Sequence, residues 1–157
     1  MTIRAATAAD RGFLEEMLLE AYNWDGHPRF TAEQLAAEDH AWRYVDGWMR
    51  PGDFGVVAID EAGLPIGAAW ARLMTADRPG YGYVADDVPE LSIGVSPGQR
   101  GRGVGRALLE ALLEAAAPYG RLSLSVEPEN RAAKLYRSLG FQKVGRSGGS
   151  DTMPFRR

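Results

Sequence analysis

The 157-residue chain has no cysteine and only two histidines, His27 and His40. The first lack excludes disulfides, thiolate metal sites and a cysteine nucleophile. The second leaves metal chemistry dependent on carboxylates, and two histidines thirteen residues apart form no recognised ligand set, so no metal is expected. Apolar runs are short, and none approaches the roughly 18 residues that a membrane-spanning helix requires. The opening MTIRAATAADRG lacks the continuous apolar stretch of a signal peptide, which makes a cytoplasmic location the expectation. Positive charge is not in excess either: 18 Lys and Arg against 21 Asp and Glu give a formal net charge of −3. A general nucleic-acid binder needs a basic face, so neither nucleic acid nor membrane is an expected partner. What the chain does have is 45% hydrophobic residues, enough to bury one core, and residues 1–157 are read as a single domain.

Helical and strand-like patterns alternate without repeats or low-complexity tracts. Ile3 to Ala5 reads as a short strand. Phe13, Met17, Leu18 and Ala21 recur at helical spacing within Ala8 to Tyr22. Thr31 to Gln34, TAEQ, is a capping box, and Leu35, Trp42, Val45 and Met49 then line one face of a second helix that RPGD stops. FGVVAID and PIGAAWARLM form a strand pair about the Glu61–Gly63 turn. The stretch from Thr75 to Val88 shows no sustained period and reads as a surface loop. In ELSIGV, Leu91, Ile93 and Val95 point one way and Glu90, Ser92 and Gly94 the other. A third helix over about Gly103 to Ala117 presents Val104, Leu108, Ala111, Leu112 and Ala115. The strand RLSLSVE, a short helix in NRAAKLYRSLG with Asn130 as cap and Gly140 as stop, and final strands in FQKVG and DTMPF complete the reading.

The most informative stretch is SPGQRGRGVGR, Ser96 to Arg106, which joins a strand to an apolar helix. That arrangement presents bare backbone amides at the positive end of a helix to a phosphate, and glycine lets the backbone approach closely. Arg100, Arg102 and Arg106 supply charge and forked donors for phosphate oxygens. The competing reading is a tight turn whose arginines serve solubility. A nucleoside-triphosphate loop is disfavoured because Gly98 to Gly103 has the spacing but Val104 and Gly105 stand where Lys and Ser or Thr belong. A dinucleotide fingerprint fails because Arg106 ends it and most of the chain precedes it.

At these residues the chain resembles the GCN5-related N-acetyltransferase superfamily. Its Gln/Arg-x-x-Gly-x-Gly/Ala signature is matched by Arg100-Gly101-Arg102-Gly103-Val104-Gly105, preceded by ELSIGV and Ser96-Pro97. A second region, EPENRAAKLYRSLGFQKVG, carries Asn130, Ala133, Tyr136, Gly140 and Phe141 in the family's order. The resemblance is specific over Glu90 to Gly145. It implies an α/β fold of the α+β kind: a mixed, mostly antiparallel twisted central sheet flanked by helices, with two splayed parallel strands holding the coenzyme. It implies acetyl-coenzyme A as cosubstrate, with the Arg100–Gly105 backbone and the Arg100 and Arg102 side chains, beside Arg106, at the diphosphate. The edge of Ile93, Gly94 and Val95 pairs with the pantetheine arm, and Asn130 and Ala133 join the binding residues. Gly94 either bulges the strand or accommodates packing, and Asn130 either contacts coenzyme or simply caps a helix.

The implied chemistry is acetyl transfer to an amine, which attacks a thioester only when unprotonated. A lysine of pKa near 10.4 is free in about one part in 2,500 at pH 7, a penalty of roughly 4.6 kcal/mol, so the reaction benefits from a base. With no cysteine, direct attack in a ternary complex is the economical route. Glu90 is the favoured base, through a water if needed, against a surface carboxylate; Asp86, Asp87 and Glu127 compete. Tyr136 is the candidate acid for the departing thiolate, against a core tyrosine beside Leu135 and Leu139. The acceptor is an unidentified primary amine. Tyr22, Trp24, Asp25, His27 and Phe30, together with Tyr81, Tyr83, Asp77, Asp86 and Asp87, either wall a cleft for a cationic amine or roof a small core. Trp42 and Trp48 pack internally or at a homodimer interface. The alternative function is a non-catalytic acyl-coenzyme A-binding sensor domain.

Overall fold

Residues 1–156 are described by a computed structural model of the protein. Seven strands in the order β1-β2-β3-β4-β5-β7-β6 and five helices divide between two compact units. The mixed, mostly antiparallel sheet flanked by helices agrees with the sequence reading.

The first unit comprises Met1–Ala71 and Ser92–Ala115. Here β1 (Thr2–Ala5) pairs antiparallel with β2 (Phe54–Ile59), which pairs antiparallel with β3 (Pro65–Arg72). Before α1 (Arg11–Tyr22) the chain makes a 3-10 turn, Ala8–Asp10. The Asp10 carboxylate accepts the Thr7 N–H at 2.7 Å and both Arg4 guanidinium donors, at 2.8 and 2.9 Å. The capping box forms as expected: Thr31 Oγ1 accepts the Gln34 N–H at 3.2 Å, and Gln34 Oε1 accepts the Thr31 N–H at 2.9 Å. It opens only a short α2 (Ala32–Ala37). The single second helix of the sequence reading is interrupted: Glu38 is extended (φ −95°, ψ 104°) and α3 (Asp39–Trp42) restarts beyond it. Met49 lies outside that face and is 41% exposed. Val45 and Trp48 are buried, Trp48 donating Nε1–H to the Thr7 carbonyl and Trp70 donating to that of Tyr44. α4 (Val104–Ala115) packs on β1 and β2 through Val104, Leu108, Leu109 and Leu112. Each such buried side chain contributes about 1.5–3 kcal/mol.

The second unit comprises Arg72–Leu91 and the residues from Ala116 on. β5 (Arg121–Val126) pairs antiparallel with β7 (Ser150–Arg156), and β7 with β6 (Gly145–Ser147). Leu122, Leu124 and Val126 are buried as their alternation predicts. The start of β4 (Glu90–Val95) lies beside β5 in parallel, in register at the single pair Glu90–Ser123. α5 (Ala132–Ser138) is followed by Gly140 at φ +106°, as a helix stop requires. FQKVG is not a strand through most of its length: Gln142 and Val144 donate to β7 carbonyls, yet β6 begins only at Gly145.

Candidate functional site

In the first unit, β4 runs into the 3-10 turn Pro97–Gln99, then Arg100 to Gly103, then α4. The Ser96 N–H donates to the Ile66 carbonyl at 2.9 Å, which anchors the turn to β3. Gly101 (φ +75°) and Gly103 (φ +82°) take left-handed conformations, and a Cβ at either would meet nothing within 4 Å. Glycine is therefore required there by backbone conformation, not by crowding. The first helical bond recorded at the entrance of α4 runs from the Ala107 N–H to the Gly103 carbonyl at 3.1 Å. The amides of Val104, Gly105 and Arg106 come before it, at the positive end of a 12-residue helix. Val104 buries its side chain, while Gly101, Arg102, Gly103 and Arg106 are exposed.

Three arginines surround this turn, and they differ. Arg100 reaches back along the unit: Nη2 meets Glu20 Oε2 at 3.0 Å, and Nη1 and Nε donate to the Trp24 and Val95 carbonyls at 3.3 Å. It braces the turn against α1, with its charge matched by Glu20. Arg106 lies 3.7 Å from Glu110 on the exposed face of α4. Beside them, Gly94 is set by packing, since a Cβ there would stand 2.3 Å from the Met17 carbonyl oxygen. Ile93 and Val95 remain half-buried.

The aromatic segment after α1 folds on itself. Tyr22 and Phe30 stack edge to face at 5.5 Å, and the Arg29 guanidinium lies 5.5 Å over Trp24 while bonding Asp25 at 2.7 Å. His27 takes its place through its N–H on Asp25 Oδ1, the loop hydrogen bond expected of it. Among the described residues no group of three or more His, Asp or Glu is placed to hold a metal ion.

In the second unit Glu90 is 1% exposed, not a surface carboxylate. Its Oε2 accepts the Gly82 N–H at 3.0 Å. Gly82 lies against β5 so closely that a Cβ would be 2.5 Å from the Leu124 carbonyl carbon. The segment from Thr75 to Val88 is thus not simply a surface loop: Gly80, Gly82 and Val88 are buried, and the Thr152 hydroxyl donates to the Tyr81 carbonyl at 3.1 Å. Its outer side, with Val144 and Arg146, frames a cleft of about 390 Å³ walled by Tyr81, Tyr83 and Val84. The Tyr83 hydroxyl donates to Asp86, and that bond, first among its causes, raises the Tyr83 phenol above its ordinary pKa.

Tyr136 of α5 is buried, its ring packed on Phe141 with centroids 6.1 Å apart. Burial pushes its phenol well above the ordinary value, so it stays protonated throughout the neutral range. Ala133, one turn earlier, is 3% exposed. The N-cap position of α5 is Arg131, not Asn130 as the sequence suggested; Asn130 stands just before it, its Oδ1 accepting the Ala132 N–H at 3.0 Å. Reading the sequence did not single out Glu20, Gly82 or Ser123, whose roles arise from contacts distant along the chain; the only hint was a glycine between the two tyrosines of YGY.

Residues 14–141 match the Acetyltransferase (GNAT) family. A mycothiol acetyltransferase of Beutenbergia cavernae is 34% identical over 131 residues, covering 82% of this chain and 40% of that protein. The N-alpha-acetyltransferase RimI of Mycobacterium tuberculosis is 47% identical over 73 residues, 42% of this chain and 46% of its own. In each case the matched stretch spans less than half of the relative's own length. Among solved structures, a PaiA N-acetyltransferase from Thermoplasma acidophilum in complex with coenzyme A superimposes with a TM-score of 0.69 at 16% identity, covering all of both chains, a likeness of fold.

Proposed function

The chain belongs to the acetyltransferase (GNAT) family, and from that premise we propose that it transfers the acetyl group of acetyl-coenzyme A directly to a primary amine. The reading is carried by the turn from Arg100 to Gly105, where two left-handed glycines lead into the amino end of α4 beside exposed Arg102 and Arg106. Left-handed glycine, helix-entry amides and guanidinium groups are a donor set suited to a diphosphate. The backbone of Arg100 to Arg106 holds the coenzyme diphosphate, Arg102 and Arg106 add charge, and Arg100 braces the turn. Ile93, Gly94 and Val95 offer strand edge to the pantetheine arm, and the Val95 amide polarises the thioester carbonyl. Asn130 and Ala133 are assigned coenzyme contacts on the family resemblance alone. Glu90 is the base and Tyr136 the acid that meets the departing thiolate.

The relatives' names point to mycothiol in one case and an N-alpha position in the other. The acceptor here is a primary amine on a small molecule or a protein, and the tyrosines and aspartates of 77–87 favour a cationic one. Thiol release from acetyl-coenzyme A, followed with amino acids, amino-terminal dipeptides, lysine and spermidine, tests the reading. Amine-dependent release supports it. The burial of Glu90 favours a second reading, a coenzyme-binding domain without turnover, which predicts binding and no release with any amine.

A further inference from the structure

The cleft of the second unit, about 390 Å³, has the size of a small-molecule site. Tyr81, Tyr83 and Val84 line it from one segment, and Val144, Arg146 and Thr152 from the β6–β7 hairpin and the residue before it. The two segments are tied together. The Thr152 hydroxyl donates to the Tyr81 carbonyl at 3.1 Å, and the Tyr81 ring lies so near the hairpin turn that a Cβ at Gly148 would stand 3.5 Å from it. Between the two tyrosines, the Gly82 N–H bonds Glu90 Oε2 at 3.0 Å, so one short segment serves both the cleft and the proposed base.

The sheet fixes Arg146 in this cleft. Arg146 pairs across β6 and β7 with Asp151, whose side chain is 8% exposed and accepts the Arg146 Nε–H at 3.3 Å. The same Asp151 oxygen lies 3.3 Å from Lys143 Nζ. Two cations thus share one carboxylate, which leaves positive charge over. Among the described residues no other ion pair or hydrogen bond engages the Arg146 guanidinium, so its Nη donors keep the planar fork that matches a carboxylate. In the facing segment the Tyr83 hydroxyl holds Asp86, which brings negative charge to that wall. Val144, 66% exposed, and Val84 add apolar surface. Aromatic and apolar walls with charge of opposite sign on the two segments suit a small zwitterion better than a polyamine, which has nothing to offer the guanidinium.

We propose that Arg146 determines acceptor specificity and that the acceptor is a free amino acid with an apolar side chain, its carboxylate seated on the Arg146 fork and its side chain against Tyr81, Val84 and Val144. The inference rests on the reading of the chain as an amine acetyltransferase and narrows its acceptor.

Thiol release by the full chain with L-leucine and with L-leucinamide provides the test, since the two share amine and side chain and differ at the carboxylate. The wild type is expected to show a KM about tenfold lower for leucine. In Arg146→Gln that ratio falls to about one, and Arg146→Lys, which keeps charge without the fork, lies between. Calorimetry with the same two compounds in the presence of coenzyme A makes the comparison without turnover. Arg146 is exposed and Lys143 stays on Asp151, so the variants are expected to fold; should they not, the wild-type ratio decides. Equal KM and equal affinity for leucine and leucinamide in the wild type, or a preference unchanged in Arg146→Gln, overturns the assignment. Failure of the acetyltransferase reading is distinct: no amine then releases thiol, while leucine still binds and is weakened about tenfold in Arg146→Gln.

Discussion

Glu90 and Tyr136 are both buried, and burial acts on the two groups differently. A phenol out of water resists ionisation, so Tyr136 keeps its proton and suits the role of acid. A carboxylate out of water must be stabilised by donors, of which Gly82 N–H is one. Replacing Glu90 by Gln is expected to lower amine-dependent thiol release about 100-fold near pH 6–7 and less toward pH 9, where more of the amine is already unprotonated. Initial rates across that range decide, and a ratio to wild type that does not change with pH contradicts the role. Tyr136→Phe keeps the ring on Phe141 and removes only the hydroxyl. It is expected to retain coenzyme affinity within about twofold and lose roughly 10–100-fold in turnover. Lost affinity together with a lowered melting temperature indicates a packing role instead.

At the scale of elements, legibility followed the reach of the interactions. The Thr31–Gln34 box and the stop at Gly140 rest on neighbours within a few positions, and each stands where the pattern placed it. The apolar face of α4 is met at Val104, Leu108 and Leu112 but turns toward Leu109, which is buried, and leaves Ala115 exposed. The break at Glu38 was hidden because no Gly or Pro marks it. Burial of Leu35, Ala41 and Val45 is compatible with a continuous helix and with two short ones. The folding of 75–88 over Glu90 was hidden for another reason: Gly82 lies on β5, more than forty residues away in sequence. In β4 strict alternation misled as well, since Glu90 and its neighbour Leu91 are both buried. The entry to α1 supplies a measurable case of local design. Asp10 is held below the ordinary carboxylate pKa first by its bond from Arg4, against the opposing effect of burial, with help from Thr7. A depressed folded pKa stabilises above the unfolded value, about 3.9, and the gain disappears as pH falls through the lower folded value. Asp10→Asn is expected to cost about 1–2 kcal/mol at pH 7. By urea denaturation that difference persists down to about pH 5 and closes at more acidic pH; a pH-independent difference contradicts the assignment.

Taken whole, the chain is acidic, at −3, yet gathers Arg100, Arg102 and Arg106 within seven positions. Much of that charge is matched, Arg100 by Glu20 at 3.0 Å and Arg106 by Glu110 at 3.7 Å. In the proposed site, recognition of the diphosphate would therefore lean on main-chain donors about the left-handed glycines Gly101 and Gly103. No helix among the described residues is long and apolar enough to cross a membrane. Titration calorimetry of the full chain with acetyl-coenzyme A, beside ATP and NAD, tests the central claim most directly. One binding site for acetyl-coenzyme A, tighter than for either nucleotide and weakened about tenfold in Gly103→Ala by the cost of left-handed backbone, is the predicted result. No heat with acetyl-coenzyme A, or equal affinity in Gly103→Ala, would contradict it.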